Sequence, residues 1–230
     1  DVVGLDTDDR GQVLIAHRAG VSIFDPKGTM VREVASDGPS AFYLDELGRV
    51  AVARREILHA EGGEPATIQA PDRENRFHLV DEMPSVGVLS TGERLVVDRR
   101  GQTVIRVATN GQFVAHFAQI DAERLTISGT DDVAILDRDR NITITDRDGA
   151  TLGRIPRRGT GYQFESPADL AFDAVGHLYV LDRQAAAVYV FGPAQSLLAT
   201  ITAPGREAGS LQRPRALAIE DPRDDRAELR

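Results

Sequence analysis

Twenty-six arginines against a single lysine, Lys27, give this chain of 230 residues its chemical character. A guanidinium is planar, always charged and presents its donors as a fork, so arginine grips a carboxylate or phosphate bidentately where lysine offers a point charge. Several arginines directly follow an aspartate, as in Asp98-Arg99, Asp137-Arg138 and Asp182-Arg183. Such pairs either tie the protein to itself or leave guanidinium groups over for a ligand. The candidates for gripping an acidic group are Arg99, Arg100, Arg138 and Arg140, then Arg157, Arg158 and Arg183, and finally Arg213 and Arg215. Tyr162 and Phe164 stand beside them as stacking surfaces or as plugs over the core.

Catalytic patterns are thin by comparison. Lys27 lacks the Gly-x-x-x-x-Gly-Lys context of a phosphate loop, Gly159-Thr160-Gly161 lacks the third glycine of a dinucleotide site, and no Gly-x-Ser-x-Gly elbow occurs. With no cysteine, thiolate zinc sites, disulfides and cysteine nucleophiles are excluded together. The five histidines, at positions 17, 59, 78, 116 and 177, form no i, i+4 pair. Asp6-Thr7-Asp8-Asp9-Arg10-Gly11 opens like a calcium loop, but Arg10 occupies a ligand position and His17 replaces the closing Glu, so an ordinary turn is expected. No catalytic residue, metal ligand or cofactor is therefore assigned.

The formal charge of -9 disfavours nucleic acid as a partner of the whole surface, so basic recognition must be local. No apolar run approaches the roughly 18 residues of a membrane helix, and no membrane insertion is expected. Lack of cysteine suits an oxidising periplasmic or cell-envelope compartment, although cytosolic proteins lack it too.

The elements that must position these residues repeat. Val3-Gly4-Leu5-Asp6, Phe42-Tyr43-Leu44-Asp45, Gly87-Val88-Leu89-Ser90, Leu125-Thr126-Ile127-Ser128, Leu170-Ala171-Phe172-Asp173 and Leu217-Ala218-Ile219-Glu220 recur at intervals of 39, 45, 38, 45 and 47 residues. Each of the first five is followed by a polar turn, such as Asp6 to Gly11 or Asp45 to Gly48, and by a second apolar run: residues 13–16, 50–53, 95–97, 133–136 and 178–181. A third run, such as Val188-Tyr189-Val190-Phe191, is joined to a fourth across Asp25-Pro26-Lys27-Gly28, Asn110-Gly111, Arg147-Asp148-Gly149 or Gly192-Pro193. Four short strands per unit of 40 to 50 residues predict an all-β ring of propeller blades.

Ser166-Pro167-Ala168-Asp169-Leu170-Ala171-Phe172-Asp173, then Gly176-His177-Leu178-Tyr179-Val180-Leu181-Asp182-Arg183 and Val188-Tyr189-Val190-Phe191, resemble an NHL repeat. The Gly-rich lead-ins, residues 158–164 and 205–211, resemble that family's blade connections. The likeness is close in the fifth unit and diffuse elsewhere, and the second unit has Ala53-Arg54-Arg55 where the pattern has an aspartate. It implies a single NHL-like β-propeller domain over residues 1–230, with blades at about 1–38, 39–84, 85–121, 122–166, 167–213 and a partial sixth at 214–230. An incomplete last blade leaves strand edges open, so the expectation is that the polypeptide continues past Arg230 or that another chain completes it.

Blade topology puts first-to-second and third-to-fourth turns on one face, and second-to-third turns and blade connections on the other. The first face collects eighteen acids against seven bases; the second gathers sixteen arginines, Arg124 counted among them. The expected function is a non-catalytic protein-binding or scaffolding module, part of a larger chain or assembly, that binds through the Arg-rich face. Proteins the chain resembles also include RNA-binding NHL modules. Metal-dependent propeller hydrolases and lyases of similar architecture hold their metal in the central channel, where the inner strands here read as mostly small or apolar.

Overall fold

The computed structural model describes residues 2–8, 10–36, 38–44, 49–60, 64–202 and 211–219. Runs of β-branched and aromatic residues between Asp- and Gly-rich turns fold as antiparallel strands, with no helix among the described residues. Blade 1 is β1 (Val2–Thr7), β2 (Val13–His17), β3 (Gly20–Phe24) and β4 (Met30–Ala35). Blade 2 is β5 (Ala41–Leu44), β6 (Val50–Arg54), β7 (Ile57–Ala60) and β8 (Ala66–Thr67), followed by a hairpin of β9 (Gln69–Pro71) and β10 (Phe77–Leu79). Blade 3 is β11 (Val86–Val88), β12 (Arg94–Asp98), β13 (Thr103–Val107) and β14 (Phe113–Ala118). Blade 4 is β15 (Ala122–Ile127), β16 (Val133–Asp137), β17 (Ile142–Thr145) and β18 (Thr151–Ile155), followed by a hairpin of β19 (Arg158–Gly159) and β20 (Tyr162–Gln163). Blade 5 is β21 (Pro167–Phe172), β22 (Leu178–Asp182), β23 (Ala187–Phe191) and β24 (Leu197–Thr202). Each blade is a four-stranded sheet in simple sequential order, the arrangement of a β-propeller.

The lower turns share one device. Asp25, Asp146 and Asp173 each turn Oδ1 onto the backbone N–H groups two and four residues on, at 2.8 to 3.0 Å, with Gly28, Gly149 and Gly176 at positive φ between them. The core lies between blades rather than inside them. Leu14, Ala16, Val21 and Ile23 of blade 1 pack on Val50 and Val52 of blade 2, and the pattern is repeated at each following junction. The two hairpins are wedges: Ile68, Ala70 and Val80 fill the junction of blades 2 and 3, Tyr162 and Phe164 that of blades 4 and 5.

Residues 217–219 occupy the inner position after blade 5. Leu217 N–H reaches Asp169 Oδ2 at 2.8 Å on one side, and Thr7 Oγ1 donates to the Ile219 carbonyl at 2.9 Å on the other. The described residues thus form five four-stranded blades and a sixth inner segment bonded to both neighbours.

Two registers differ from the sequence expectation. β1 continues to Thr7, and Asp8, not Asp6, closes the turn by accepting Gln12 N–H at 2.8 Å, so residues 5–8 are the counterpart of 170–173. In blade 3, Leu89 N–H donates to the Glu93 carbonyl, which places Leu89 where Ser90 was expected. The calcium-like loop is an ordinary turn in its described residues. The expected turn from Asp45 to Gly48, the lead-in Gly205 to Ser210 and the stretch from Glu220 to Arg230 lie outside the described residues.

Candidate functional site

The upper ends of blades 3, 4 and 5 are built alike. Asp98 Oδ1 accepts Gly101 N–H at 3.0 Å, and Asp137 Oδ1 accepts Asn141 N–H at 2.8 Å. Asp182 accepts the amides of Glu165, Ser166, Gln184 and Ala185. These carboxylates close turns, and Asp98 and Asp182 are fully buried. The arginine after each gives its backbone N–H to a residue on the approach to the inner strand: Arg99 to Glu82 (3.2 Å), Arg138 to Asp121 (3.1 Å) and Arg183 to Ser166 (2.9 Å).

In blades 3 and 4 that acceptor residue is an acid, and its side chain returns to the same guanidinium. Arg99 lies 3.9 Å from Glu82 and Arg138 lies 3.5 Å from Asp121. Blade 5 has serine there. Arg183 is exposed and makes no ion pair with a described residue.

The other candidates divide. Arg100 is 3.9 Å from Asp81, so blade 3 holds both of its upper arginines to its own acids. Arg157 joins blade 4, its N–H on Asn141 Oδ1 (3.1 Å) and its Nε on the Phe164 carbonyl (3.4 Å). Arg140, at φ 68°, sits in the same Asp137–Asn141 turn, its N–H on the Asp137 carbonyl. Arg158 is exposed at the start of β19. Arg213 and Arg215 are exposed on the approach to the sixth inner segment, and Arg213 has a φ of 48°.

Of the two roles open to the aromatics the structure gives the plug, and the placement of Arg124 is corrected. Phe164 is 0% exposed and cannot stack on a ligand. Tyr162 packs with it against Phe191 and Tyr189 at centroid distances of 5.0 to 6.2 Å, and burial pushes the Tyr162 hydroxyl up. Arg124 belongs to β15 and lines the central channel rather than the Arg-rich face. Asp131 lies in the first-to-second turn of blade 4, where it is buried and bonds Ser90 Oγ (2.5 Å) and N–H (2.8 Å) across the junction of blades 3 and 4.

The channel holds what the sequence reading missed. Its walls are the inner strands β1, β5, β11, β15 and β21 with residues 217–219, enclosing about 320 Å³. Asp6, Arg124 and Asp169 line it together. Burial pushes both carboxyls up to about 6, opposed at Asp6 by the Thr7 amide. At Asp169 the Leu217 amide and the Arg124 guanidinium oppose the rise, and Asp6 adds to it. The available signal was a charged residue, Arg124 or Asp169, directly before the leucine of the inner strand, at one equivalent place in β15 and β21.

The fold and this channel define a β-propeller. No protein-family model matches the chain, and no curated protein matches its sequence. Solved structures are similar to it. A protein of unknown function from Bacteroides caccae is 12% identical with a TM-score of 0.66, over 87% of this chain and 81% of that one. Virginiamycin B lyase from Staphylococcus aureus is 11% identical with a TM-score of 0.60, over 94% of this chain and 73% of that one. A protein of unknown function from Bacteroides thetaiotaomicron is 13% identical with a TM-score of 0.68, over 96% of this chain but only 64% of that one. At these identities the likeness is one of fold. Among the described residues no helix is long and apolar enough to cross a membrane.

Proposed function

We propose that this chain is an NHL-like propeller serving as a protein-binding or scaffolding module, and that it grips acidic segments with Arg157, Arg158 and Arg183 on the upper face of blades 4 and 5. The observation that supports this reading is Ser166, which stands where blades 3 and 4 carry the acid that occupies the equivalent arginine. Among the described residues Arg183 is the arginine of that series without an internal carboxylate, so it is the one with donors to offer. The connection 157–166 links it to Arg157, since Phe164 N–H donates to the Arg157 carbonyl. Surface pairs of the Arg99–Glu82 kind contribute little to stability, so releasing one costs the fold almost nothing.

A fluorescein-labelled deca-glutamate peptide tests it by fluorescence anisotropy. Reversing Arg158 and Arg183 to Glu together should weaken binding about tenfold or more at low salt, with thermal stability nearly unchanged. Equal affinity in the double variant, or equal loss on reversing Arg10 of the opposite face, would overturn it.

The second reading, a metal-dependent hydrolase or lyase, draws support from the similarity to virginiamycin B lyase. Its donor set is wanting: among the described residues no three His, Asp or Glu side chains converge. Stoichiometric calcium or zinc in purified protein would favour it over the binding module.

A further inference from the structure

We propose that the central channel is a binding site for a small organic ammonium ion, held by the carboxylates of Asp6 and Asp169. This site is separate from the upper face and does not depend on its arginines.

Three charged side chains of the described residues line one half-open space, and no ion pair within 4.0 Å joins them. Arg124 is anchored on the wall, with Nη1 on the carbonyls of Pro84 (2.9 Å) and Glu123 (3.1 Å), and forms no ion pair within 4.0 Å with a described carboxylate. Asp169 turns Oδ1 to Leu170 N–H (3.1 Å) and Oδ2 to Leu217 N–H (2.8 Å). Asp6 Oδ1 accepts Thr7 N–H at 2.9 Å, and its Oδ2 has no hydrogen-bond partner among the described residues. Neutral amides solvate these carboxylates without cancelling their charge, so among the described lining residues two acids and one base leave an excess of one negative charge.

Two half-buried carboxylates share one counter-charge, Arg124, in this space, and acids set in such surroundings concentrate where a ligand supplies the missing charge. The ligand that fits is therefore a cation. An ammonium offers three donors, enough to span the unpartnered Asp6 oxygen and the free lone pairs of Asp169. The walls also carry Leu5, Phe42, Val88 and Ile127, which suit a hydrocarbon body, and the volume falls at the small end of ligand pockets. A calcium ion takes about six to eight oxygens, so these two carboxylates, whose other contacts are amide donors, would leave most of its shell to water.

The probe is phenethylammonium chloride, compared with the neutral isostere 2-phenylethanol, with calcium chloride and with sodium chloride at matched ionic strength. Melting followed by circular dichroism at neutral pH should show phenethylammonium raising the midpoint by about 2 °C at millimolar concentration, with no rise from the other three. Calorimetric titration should give a dissociation constant weakened about tenfold by Asp6→Asn, and no measurable binding in the Asp6→Asn, Asp169→Asn double variant. Asparagine preserves shape and an acceptor for each amide, and unliganded melting establishes that the variants fold. The single Asp6→Asn variant carries the test if the double variant does not. Equal shifts with 2-phenylethanol, undiminished affinity in Asp6→Asn, a response to calcium alone, or no response to phenethylammonium would each overturn the proposal.

Discussion

Leu217 donates its backbone N–H to Asp169 Oδ2 at 2.8 Å, in the place where, at an earlier junction of the ring, Leu125 donates to Ser85 Oγ at 3.1 Å. Both bonds join one inner strand to the next through a polar side chain at the same position. Serine does this without charge, and returns its own hydroxyl hydrogen to the Leu125 carbonyl at 3.2 Å. Aspartate does it with a carboxylate that the channel must then solvate. Ring closure and channel charge are therefore the same chemical choice.

That choice has a pH signature. The Asp6 and Asp169 carboxyls rise from 3.8 to about 6 on folding, so between those values the native state binds more protons than the unfolded chain. Stability should fall as pH rises from about 4 to about 6 and then level off. Asp169→Asn removes one of the two charges while keeping an acceptor for Leu217. Urea unfolding at neutral pH should show a gain of about 1–2 kcal/mol, less than the full shift implies because the group faces the channel. The slope between pH 4 and 6 should diminish as well. A loss of stability at neutral pH would mean that the charged form is the one the native ring prefers.

Gly101 sits against the buried Asp98 and His78, whose Oδ2 and Nε2 are 2.8 Å apart. A Cβ on Gly101 would meet Asp98 Oδ2 at 2.3 Å and His78 Cε1 at 3.3 Å, and Asp98 is itself held by Gly101 N–H. Gly101→Ala should cost about 3 kcal/mol, because a buried carboxylate must give up its contacts. Gly28→Ala, at φ 81° with nothing within 4 Å, should cost only about 1 kcal/mol. Chemical denaturation of the two variants checks the contrast; equal costs would mean that Asp98 and His78 can step aside.

Phe164 bridges Ile144 and Ile155 of blade 4 to Tyr189 and Phe191 of blade 5. Phe164→Ala should cost about 3–5 kcal/mol, whereas Arg158→Ala on the adjoining surface should stay within about 0.5 kcal/mol. A mild effect at Phe164 would mean that the wedge hairpin can detach without opening the junction.

The strands were legible because a buried blade writes itself as Val133-Ala134-Ile135-Leu136 or Leu178-Tyr179-Val180-Leu181 between turn residues. Register was less so. Asp6 and Asp8 both end an apolar run, and only the hydrogen bond from Gln12 shows which one caps the turn. The structural work of Asp98, Asp137 and Asp182 was partly legible: tying the ring together at blade ends is what the sequence suggests for them, and the structure decides that backbone amides rather than arginines of neighbouring blades are their partners. Asp6 and Asp169 escaped the sequence. They are far apart in the chain, and only closure of the ring makes them neighbours of Arg124.

Ser166 offers the cleanest test of the upper face. In blades 3 and 4 the acid at its position stands close to the arginine that follows the blade-end aspartate, and serine cannot do so. Ser166→Glu should place a carboxylate beside Arg183, as Glu82 lies beside Arg99, and convert a free guanidinium into an internally paired one. Affinity for deca-glutamate should then fall about three- to tenfold, with a shallower dependence on salt because one fewer charge is open to the peptide. Ser166→Gln has similar bulk and no charge, so it should bind like the wild type. Thermal melting should barely separate the three proteins, since an exposed pair of this kind adds about 0–1 kcal/mol. Anisotropy titrations at two salt concentrations decide the matter: equal affinity for the Glu and Gln variants would remove Arg183 from the binding surface, leaving Arg157 and Arg158 to account for it alone.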